Sequence, residues 1–204
     1  MVMIKELNVI ICGVGGQGVV LLSELLGNAA VKDGIEVRGS EVLGMAQRGG
    51  SVFSNIRLGS NLYAPMTPEG KCDVLIAVEP SEALRNMHFL SKTSLVVLNS
   101  RKIIPPTVFL GKSGYPSLED ILENLNKASD RVVMLDAAQI AEEAGSLQST
   151  NVVMLGALFG TGVMPVKSET IKTLIEARFP AKVASLNINA FDLGYQAVKQ
   201  ALAV

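Results

Sequence analysis

The feature that most constrains this chain is an apolar run followed by a glycine turn and then by a helical pattern. The run covers residues 7–11, the turn covers residues 12–18, and apolar residues recur at helical spacing from Val19. In a Gly-x-Gly-x-x-Gly turn, the first glycine permits a tight bend and the second lets a backbone approach closely. The third lets the helix pack on the strand. The order of strand, turn and helix is what gives the pattern structural meaning.

The glycine turn has two interpretations that the turn itself leaves open. Its glycines are Gly13, Gly15, Gly16 and Gly18, and Gln17 lies between the last two. Free N–H groups at the start of the following helix attract phosphate or carboxylate, so the turn is a candidate anion or nucleotide site. Alternatively, it is a close-packed strand-to-helix crossover that faces another chain.

A complete dinucleotide signature would add an acidic residue about twenty residues after the turn, where it holds the ribose hydroxyls. Residues 35–38 are predicted as the second strand. Glu36 lies near the required distance, but it precedes the expected end of the strand, where Arg38 stands. The signature is therefore incomplete, and no acid or base suited to hydride transfer accompanies it.

A second glycine-rich stretch, residues 40–51, is predicted as a loop. Gly44, Gly49 and Gly50 fall within seven residues, which precludes a stable helix and requires special backbone angles. Gln47 and Arg48 are polar groups among small neighbours, as in a loop that contacts a ligand or another chain. The alternative is a solvated connection with an incidental arginine. We favour function, because loops on rigid scaffolds commonly carry binding groups.

The remaining pattern alternates strands with helices and ends in a helical third. Further strands are predicted at residues 51–58, 62–66, 72–78, 95–98, 108–110 and 132–135. Further helices are predicted at residues 80–88, 117–125, 136–144 and 151–159, then from Ser168 and through to Leu202. The sequence therefore predicts one Rossmann-like α/β domain over residues 1–204. Its sheet is open and mostly parallel, with helices on both faces.

Composition narrows the function classes. The formal net charge is -1 and no basic cluster occurs, which argues against nucleic-acid binding. Apolar residues make up 49% and charged residues 18%, as in a buried parallel sheet or a surface reserved for a partner. No apolar run approaches the ~20 residues of a membrane helix, and the N-terminus enters the first strand without a leader pattern. We expect a cytoplasmic protein without membrane contact.

The residues suited to metal or catalytic chemistry are few. Cys12 and Cys72 are the two cysteines and lie far apart in the sequence, whereas a cubane iron–sulfur cluster needs about four thiolates. His88 is the single histidine, and no partner for it as a catalytic base can be named. We expect no metal site and no catalytic residue in this chain.

Three stretches carry a resemblance to a known family. They are residues 13–18, 44–52 and 151–156, and the middle stretch, Gly-Met-Ala-Gln-Arg-Gly-Gly-Ser-Val, is the most specific. Over essentially its whole length the chain resembles the gamma-type subunit of 2-oxoacid:ferredoxin oxidoreductases, in particular the beta subunit of the indolepyruvate enzymes. Leu43 is a departure, since indolepyruvate-type sequences commonly have histidine there. The identity of the oxoacid is therefore open.

The resemblance implies a complex that converts a 2-oxoacid to an acyl-CoA and CO2 and reduces ferredoxin. Thiamine diphosphate, Mg, [4Fe-4S] clusters and CoA would be held in or with the large catalytic (alpha) subunit. This chain lacks the Gly-Asp-Gly motif of that subunit, so it would be inactive alone and would meet ferredoxin only through the complex. Isolated, it could pair with a second copy of itself as a homodimer. The alternative is a stand-alone nucleotide-binding domain of the NAD/FAD type or a regulatory protein.

Overall fold

The structure is a computed structural model and describes residues 6–202. Its strands are β1 Leu7–Val14, β2 Val37–Leu43, β3 Ser51–Leu58, β4 Val74–Ala77, β5 Leu95–Asn99 and β6 Arg131–Leu135. They form one sheet in the order β2-β3-β1-β4-β5-β6. β1, β4, β5 and β6 pair in parallel, and β3 pairs antiparallel with both β1 and β2. The predicted open, mostly parallel sheet is confirmed, with β3 alone running against the other strands.

The helices cover both faces of this sheet, as predicted. They are α1 Val19–Lys32, α2 Pro80–Arg85, α3 Pro106–Phe109, α4 Leu118–Ala128, α5 Ala137–Glu143, α6 Thr150–Gly160, α7 Ser168–Arg178 and α8 Ala181–Leu202. Short 3-10 turns occur at Met87–Phe89 and Leu147–Ser149. Among residues 6–202, no helix combines the length and apolar character needed to cross a bilayer.

Alternation along β1 creates two apolar cores. Val9 and Ile11 pack with α1 and with α5 to α8 on one face. Ile10 and Cys12 pack with α2 and α4 on the other. Because side chains along a strand alternate between faces, a strand that is apolar throughout must be covered on both sides. This is why apolar residues follow one another without alternation from Val9 to Cys12.

Local capping signals set several helix starts. Ser117 accepts a hydrogen bond from the N–H of Asp120, and the Asp120 carboxylate accepts in return from the Ser117 N–H. Such a capping box satisfies two otherwise unpaired donors, and the predicted start of α4 is confirmed. Asp136 caps α5 in a similar way through the N–H groups of Ala138 and Gln139.

The predictions for the second strand and for the loop after it need correction. β2 runs from Val37 to Leu43 and not over residues 35–38, so the loop begins at Gly44 and not at Ser40. The polar residues Arg38 to Glu41 form a strand because they pair with β3 at the sheet edge, where one side remains exposed. Strand formation there depends on tertiary context more than on intrinsic preference.

Two short predicted strands are absent. Residues 62–66 form no strand, because both edges of β3 already pair, one with β1 and one with β2. Residues 108–110 belong largely to α3, which starts at Pro106. Proline fits the first turn of a helix, where its missing N–H would have had no partner.

Candidate functional site

The glycine turn lies between β1 and α1, as predicted. Gly18 precedes α1 with φ 75°, and Gly16 has φ 99°, a left-handed conformation that favours glycine. The Gln17 Oε1 accepts from the Val14 N–H at 2.8 Å, and its Nε2 donates to the Val78 carbonyl at 3.2 Å. The Gln17 side chain therefore fastens the turn to the end of β4.

The hairpin loop, residues 44–50 between β2 and β3, lies directly against the glycine turn. The Gly15 N–H donates to the Gly50 carbonyl at 2.8 Å, and the Gly49 N–H donates to the Gly15 carbonyl at 3.0 Å. A Cβ at Gly15 would lie 2.5 Å from the Gln47 carbonyl oxygen. The two glycine-rich stretches therefore form one surface, a juxtaposition that the sequence did not indicate.

The third stretch also reaches the turn. A Cβ at Gly18 would overlap the side-chain amide of Asn151, and a Cβ at Gly13 would meet the Gln17 Oε1 at 2.7 Å. Contacts within the chain thus account for the glycine at positions 13, 15 and 18. A bound ligand would need to come close to the backbone of Gly15, but the hairpin loop already occupies that space.

The strand order also differs from a dinucleotide-binding domain. There, a parallel second strand next to β1 carries the ribose-binding acid. Here the antiparallel β3 lies next to β1, and β2 lies at the sheet edge. Glu36 precedes β2 next to the end of β3, at the edge of the sheet opposite the glycine turn and the carboxyl ends of the parallel strands.

A cleft of about 290 Å³ lies on one side of the glycine turn, and we call it the polar cleft because six polar residues line it. Its walls include Gly16, Gly18, Asn99, Arg101, Leu147 and Asn151. It lies at the carboxyl ends of β4 and β5, next to the point between β1 and β4 where the strand order reverses. Open α/β sheets bind ligands at such a point.

Asn99 and Arg101 were missed by the sequence analysis. The buried Asn99 donates from Nδ2 to the Val78 carbonyl at 3.0 Å, and its Oδ1 accepts from the Ala137 N–H at 3.1 Å. The same oxygen accepts from the Arg101 N–H at 3.4 Å, which holds the backbone of Arg101 at the cleft. The signal available in the sequence was their position, directly at the end of a buried parallel strand.

An apolar cleft of about 440 Å³ lies on the other side of the turn, against the hairpin loop. Val20 and Leu43 line it and are 38% and 61% exposed, and Met45 at the loop tip is fully exposed. Exposed apolar surface of this kind is typical of contact with another protein.

Arg48 projects from the same hairpin loop. The residue is exposed, and none of the ion pairs among residues 6–202 involves it. A guanidinium presents five donors in a fixed planar fork, which suits a carboxylate or a phosphate. Binding of a ligand or partner group by Arg48 remains a prediction. The structure leaves the Arg48 side chain accessible for such a contact.

Two carboxylates of the α2 region lie behind these loops. Glu79 is fully buried, and its Oε2 accepts from the N–H groups of Ser81 and Glu82 at 2.8 and 3.2 Å. Its Oε1 accepts from the Ile103 N–H at 3.3 Å and from the Tyr115 hydroxyl. Burial and the bond to Glu79 together raise the pKa of Tyr115.

Glu82 has a separate set of partners. Its Oε2 accepts from the Ser51 hydroxyl at 2.5 Å, and its Oε1 lies 3.1 Å from the Arg85 Nε. Burial raises the pKa of Glu82, although the Ser51 hydrogen bond and Arg85 act in the opposite direction. The sequence indicated these acids only as part of a helix start.

The two cysteines are both buried. Desolvation by burial raises the pKa of Cys12 well above its ordinary value, and it raises the pKa of Cys72 to about 12. A cubane iron–sulfur cluster needs about four thiolates, and this chain has two cysteines. These residues alone therefore do not fit the ligand set of such a cluster.

Fold and site together define a Rossmann-like α/β domain whose glycine turn is covered by its own hairpin loop. The model of the family described as pyruvate ferredoxin/flavodoxin oxidoreductase matches residues 8–197, and the chain belongs to that family. The resemblance to its gamma-type subunits is thereby confirmed.

The chain is similar to several curated relatives over nearly its full length. The indolepyruvate oxidoreductase subunit IorB of Archaeoglobus fulgidus is 47% identical over 190 residues, which cover 93% of this chain and 94% of the relative. That of Pyrococcus horikoshii is 45% identical over 199 residues, 97% of this chain and 98% of the relative. The common subunit gamma of the pyruvate/ketoisovalerate oxidoreductases of Pyrococcus furiosus is 29% identical over 187 residues, which cover 90% of this chain and 92% of the relative.

Solved structures share the fold. The keto/oxoacid ferredoxin oxidoreductase gamma subunit of Geobacter sulfurreducens has a TM-score of 0.69 at 23% identity, covering 97% of this chain and 99% of that one. The 2-oxoglutarate:ferredoxin oxidoreductase of Magnetococcus marinus has a TM-score of 0.76 at 22% identity. The match covers 97% of this chain but 32% of that longer chain.

Proposed function

We propose that this chain is the non-catalytic subunit of a thiamine diphosphate-dependent 2-oxoacid:ferredoxin oxidoreductase. Its substrate is indolepyruvate or another aryl pyruvate, and the products are an acyl-CoA, CO2 and reduced ferredoxin. Membership of the family and the names of the relatives support the complex. The names of the IorB relatives support the aryl substrate. Because Leu43 replaces the histidine common in indolepyruvate-type sequences, other oxoacids are tested as well.

The observation that carries the proposal is the convergence of all three resemblance stretches at one place. We name this surface the carboxyl edge: the glycine turn, the hairpin loop and the two clefts beside them. Leu43 and Met45 expose apolar area there, while Arg48 extends into solvent. Removing apolar surface from water is worth about 25 cal/mol per Å², so this edge favours burial against another chain. We infer that the large catalytic subunit covers it.

The division of labour follows from which groups the chain can hold. The buried thiols of Cys12 and Cys72 do not fit a cluster, so the clusters are assigned to the partner chain, together with thiamine diphosphate, Mg and CoA. Arg48 and Arg101 fit a different task. Each can bind a carboxylate or phosphate that the partner presents, whether from CoA, from the oxoacid or from a partner side chain.

The test is reconstitution with the large subunit. The large subunit is expressed with and without this chain, and methyl viologen reduction is assayed with CoA and indolepyruvate, phenylpyruvate, pyruvate or 2-oxoglutarate. We expect activity only when both chains are present, with the aryl pyruvates preferred. Equal activity without this chain would overturn the proposal, whereas a preference for another oxoacid would change only the substrate.

The glycine turn supports a second candidate function, that of a stand-alone nucleotide-binding domain. Against it stand the antiparallel β3 beside β1 and the hairpin loop at Gly15. Titration of the chain with NAD(H), NADP(H) and FAD separates the two functions. We expect no binding at millimolar nucleotide. Saturable binding in the micromolar range would favour the second function.

A further inference from the structure

Helix α2 is placed between two loops that flank the glycine turn. On one side lies the hairpin loop with Arg48. On the other side lies the segment of residues 101–115, which begins with Arg101 at the polar cleft. Both arginines are exposed, and neither loop buries a large apolar side chain that could fix its position. Each loop instead has a polar attachment to the α2 region.

The hairpin loop is attached at its end. Ser51, the first residue of β3, donates its hydroxyl hydrogen to Glu82 at 2.5 Å. Glu82 is 3% exposed, so this is a charge-assisted bond in a largely desolvated place. Such bonds are shorter and stronger than those between neutral groups. Two backbone bonds with Gly15 fix the other side of the same loop.

The segment of residues 101–115 is attached at both of its ends to one atom. The Oε1 of Glu79 accepts from the Ile103 N–H and from the Tyr115 hydroxyl. Between these points α3 has no buried residue, and Phe109 is 78% exposed. Tyr115 packs partly against the core that β1 forms with α2 and α4, and the Glu79 carboxylate supplies the polar attachment at both ends of the segment.

We propose that Glu79 and Glu82 are positioning residues, one for each loop, and that together they set the separation between Arg48 and Arg101 across the glycine turn. The role of those arginines rests on the proposed function, but the attachment of the loops does not. A buried carboxylate is tolerated only when donors satisfy it. Here one oxygen of each carboxylate is satisfied within α2 and the other accepts from a loop, so each loop and its carboxylate hold one another in place.

The arrangement predicts effects that are specific to one loop. Replacing either carboxylate risks unfolding, so the test removes the loop donors: Ser51→Ala for the hairpin loop and Tyr115→Phe for the other segment. Ser51→Thr keeps the hydroxyl and should restore the bond. Glu176→Gln, an exposed change on α7, is the matched control.

Amide hydrogen exchange of the full chain is the first measurement. We expect Ser51→Ala to raise exchange in residues 43–52 about tenfold, the size of one lost hydrogen bond, and to leave residues 101–115 unchanged. Tyr115→Phe should do the reverse, and Ser51→Thr and Glu176→Gln should match the parent chain. Equal changes in both loops, or none, would overturn the proposal.

Kinetics of the assembled complex are the second measurement. If the loops hold Arg48 and Arg101 for an anion, Ser51→Ala should raise the apparent KM for CoA or for the oxoacid several-fold with little change in kcat. Loop-specific exchange with unchanged KM would leave the attachment standing and overturn the assigned role of the arginines. The two failures are therefore distinguishable.

Discussion

Two regions of the molecule bring backbones into contact through glycine, the α6–α8 helix pair and the carboxyl edge. In the helix pair, Gly156 on α6 lies against the Phe191 backbone, and Gly194 on α8 lies against the Val153 backbone. At the carboxyl edge, Gly15 lies against the Gln47 backbone. The chemistry of the contact is the same, but the first contact is buried and the second is at the surface.

The difference between the two regions is what surrounds the contact. Every residue of α6 from Val152 to Gly160 is buried, so close approach there lets two apolar helices pack without a gap. At the carboxyl edge the same approach fixes a loop whose neighbours Leu43 and Met45 are exposed. Glycine contacts in the core therefore stabilise the fold, whereas those at the edge hold in place an exposed loop, which we propose is part of the surface that meets the partner subunit.

The largest effect is expected in the helix pair. Gly156→Ala would place a Cβ against the carbonyl oxygen of Phe191. Because the Cβ is fixed to the backbone of α6 and the oxygen to that of α8, the two helices must separate. We expect a loss of about 3 kcal/mol in the free energy of unfolding, the upper part of the range for overpacked cores. Urea unfolding followed by circular dichroism measures it.

Gly27→Ala is the matched control for that change. Gly27 lies in the middle of α1, and a Cβ there meets no atom within 4 Å. Alanine favours a helix by about 1 kcal/mol over glycine, so this variant should be as stable as the parent or more so. Equal destabilisation by both substitutions would contradict the close-contact account of α6 and α8.

The next effect concerns the carboxyl edge and appears in assembly, not in folding. Arg48→Ala should leave the free energy of unfolding within about 0.5 kcal/mol of the parent, because the side chain is exposed. It should weaken binding to the large subunit, or to CoA or oxoacid in the complex, by about 1.5–3 kcal/mol, as for a lost charge-assisted bond. Binding is measured by calorimetry and the apparent KM by methyl viologen assay.

Arg48→Lys refines the same prediction. A single ammonium cannot reproduce the planar fork, so only part of the loss should be recovered. Parental assembly and kinetics in Arg48→Ala would show that the hairpin loop is a plain connection. Unfolding of the isolated variant would show that Arg48 serves the fold.

The smallest expected effect is a pH dependence of the free energy of unfolding, and it comes from Asp33, where the end of α1 meets the start of α7. Burial alone would raise the pKa of Asp33, but hydrogen bonds from the Lys167 N–H and the Thr170 hydroxyl outweigh it and lower the pKa below its ordinary 3.8. The carboxylate therefore stabilises the fold above that ordinary value, and this contribution is lost as the pH falls through the lowered pKa.

Asp33→Asn tests this assignment. At neutral pH it should cost about 1 kcal/mol of unfolding free energy, and the difference from the parent should shrink toward pH 3. Asp130→Asn, in an exposed pair with Lys92, is the control and should change little. A difference between parent and Asp33→Asn that does not vary with pH would contradict the role of the charged form.

Local signals explain which parts of the fold could be predicted. The β1–turn–α1 unit and the Ser117 cap of α4 were predicted correctly, because each depends on neighbouring residues. The length of β2 and the absent strand at residues 62–66 depend on which sheet edges are already paired. Those edges are set by contacts distant in sequence, which periodicity does not record.

In the candidate site, too, the features set by neighbouring residues were predicted and those set by distant contacts were not. Its glycine stretches stood out singly, yet their contact through Gly15 and Gly50 appears only in the fold. Glu79 gave no signal as a buried acid, because its partners Ile103 and Tyr115 follow more than twenty residues later. Residues that act through distant partners are the ones that sequence reasoning missed.

The most direct test of the central claim is a hydrogen-exchange footprint of this chain with and without the large subunit. If the carboxyl edge meets that subunit, residues 15–18 and 43–50 should gain strong protection on assembly, while the exposed face of α7 should exchange as in the isolated chain. Protection confined to α7 and α8, with the glycine turn and hairpin loop unchanged, would contradict the account.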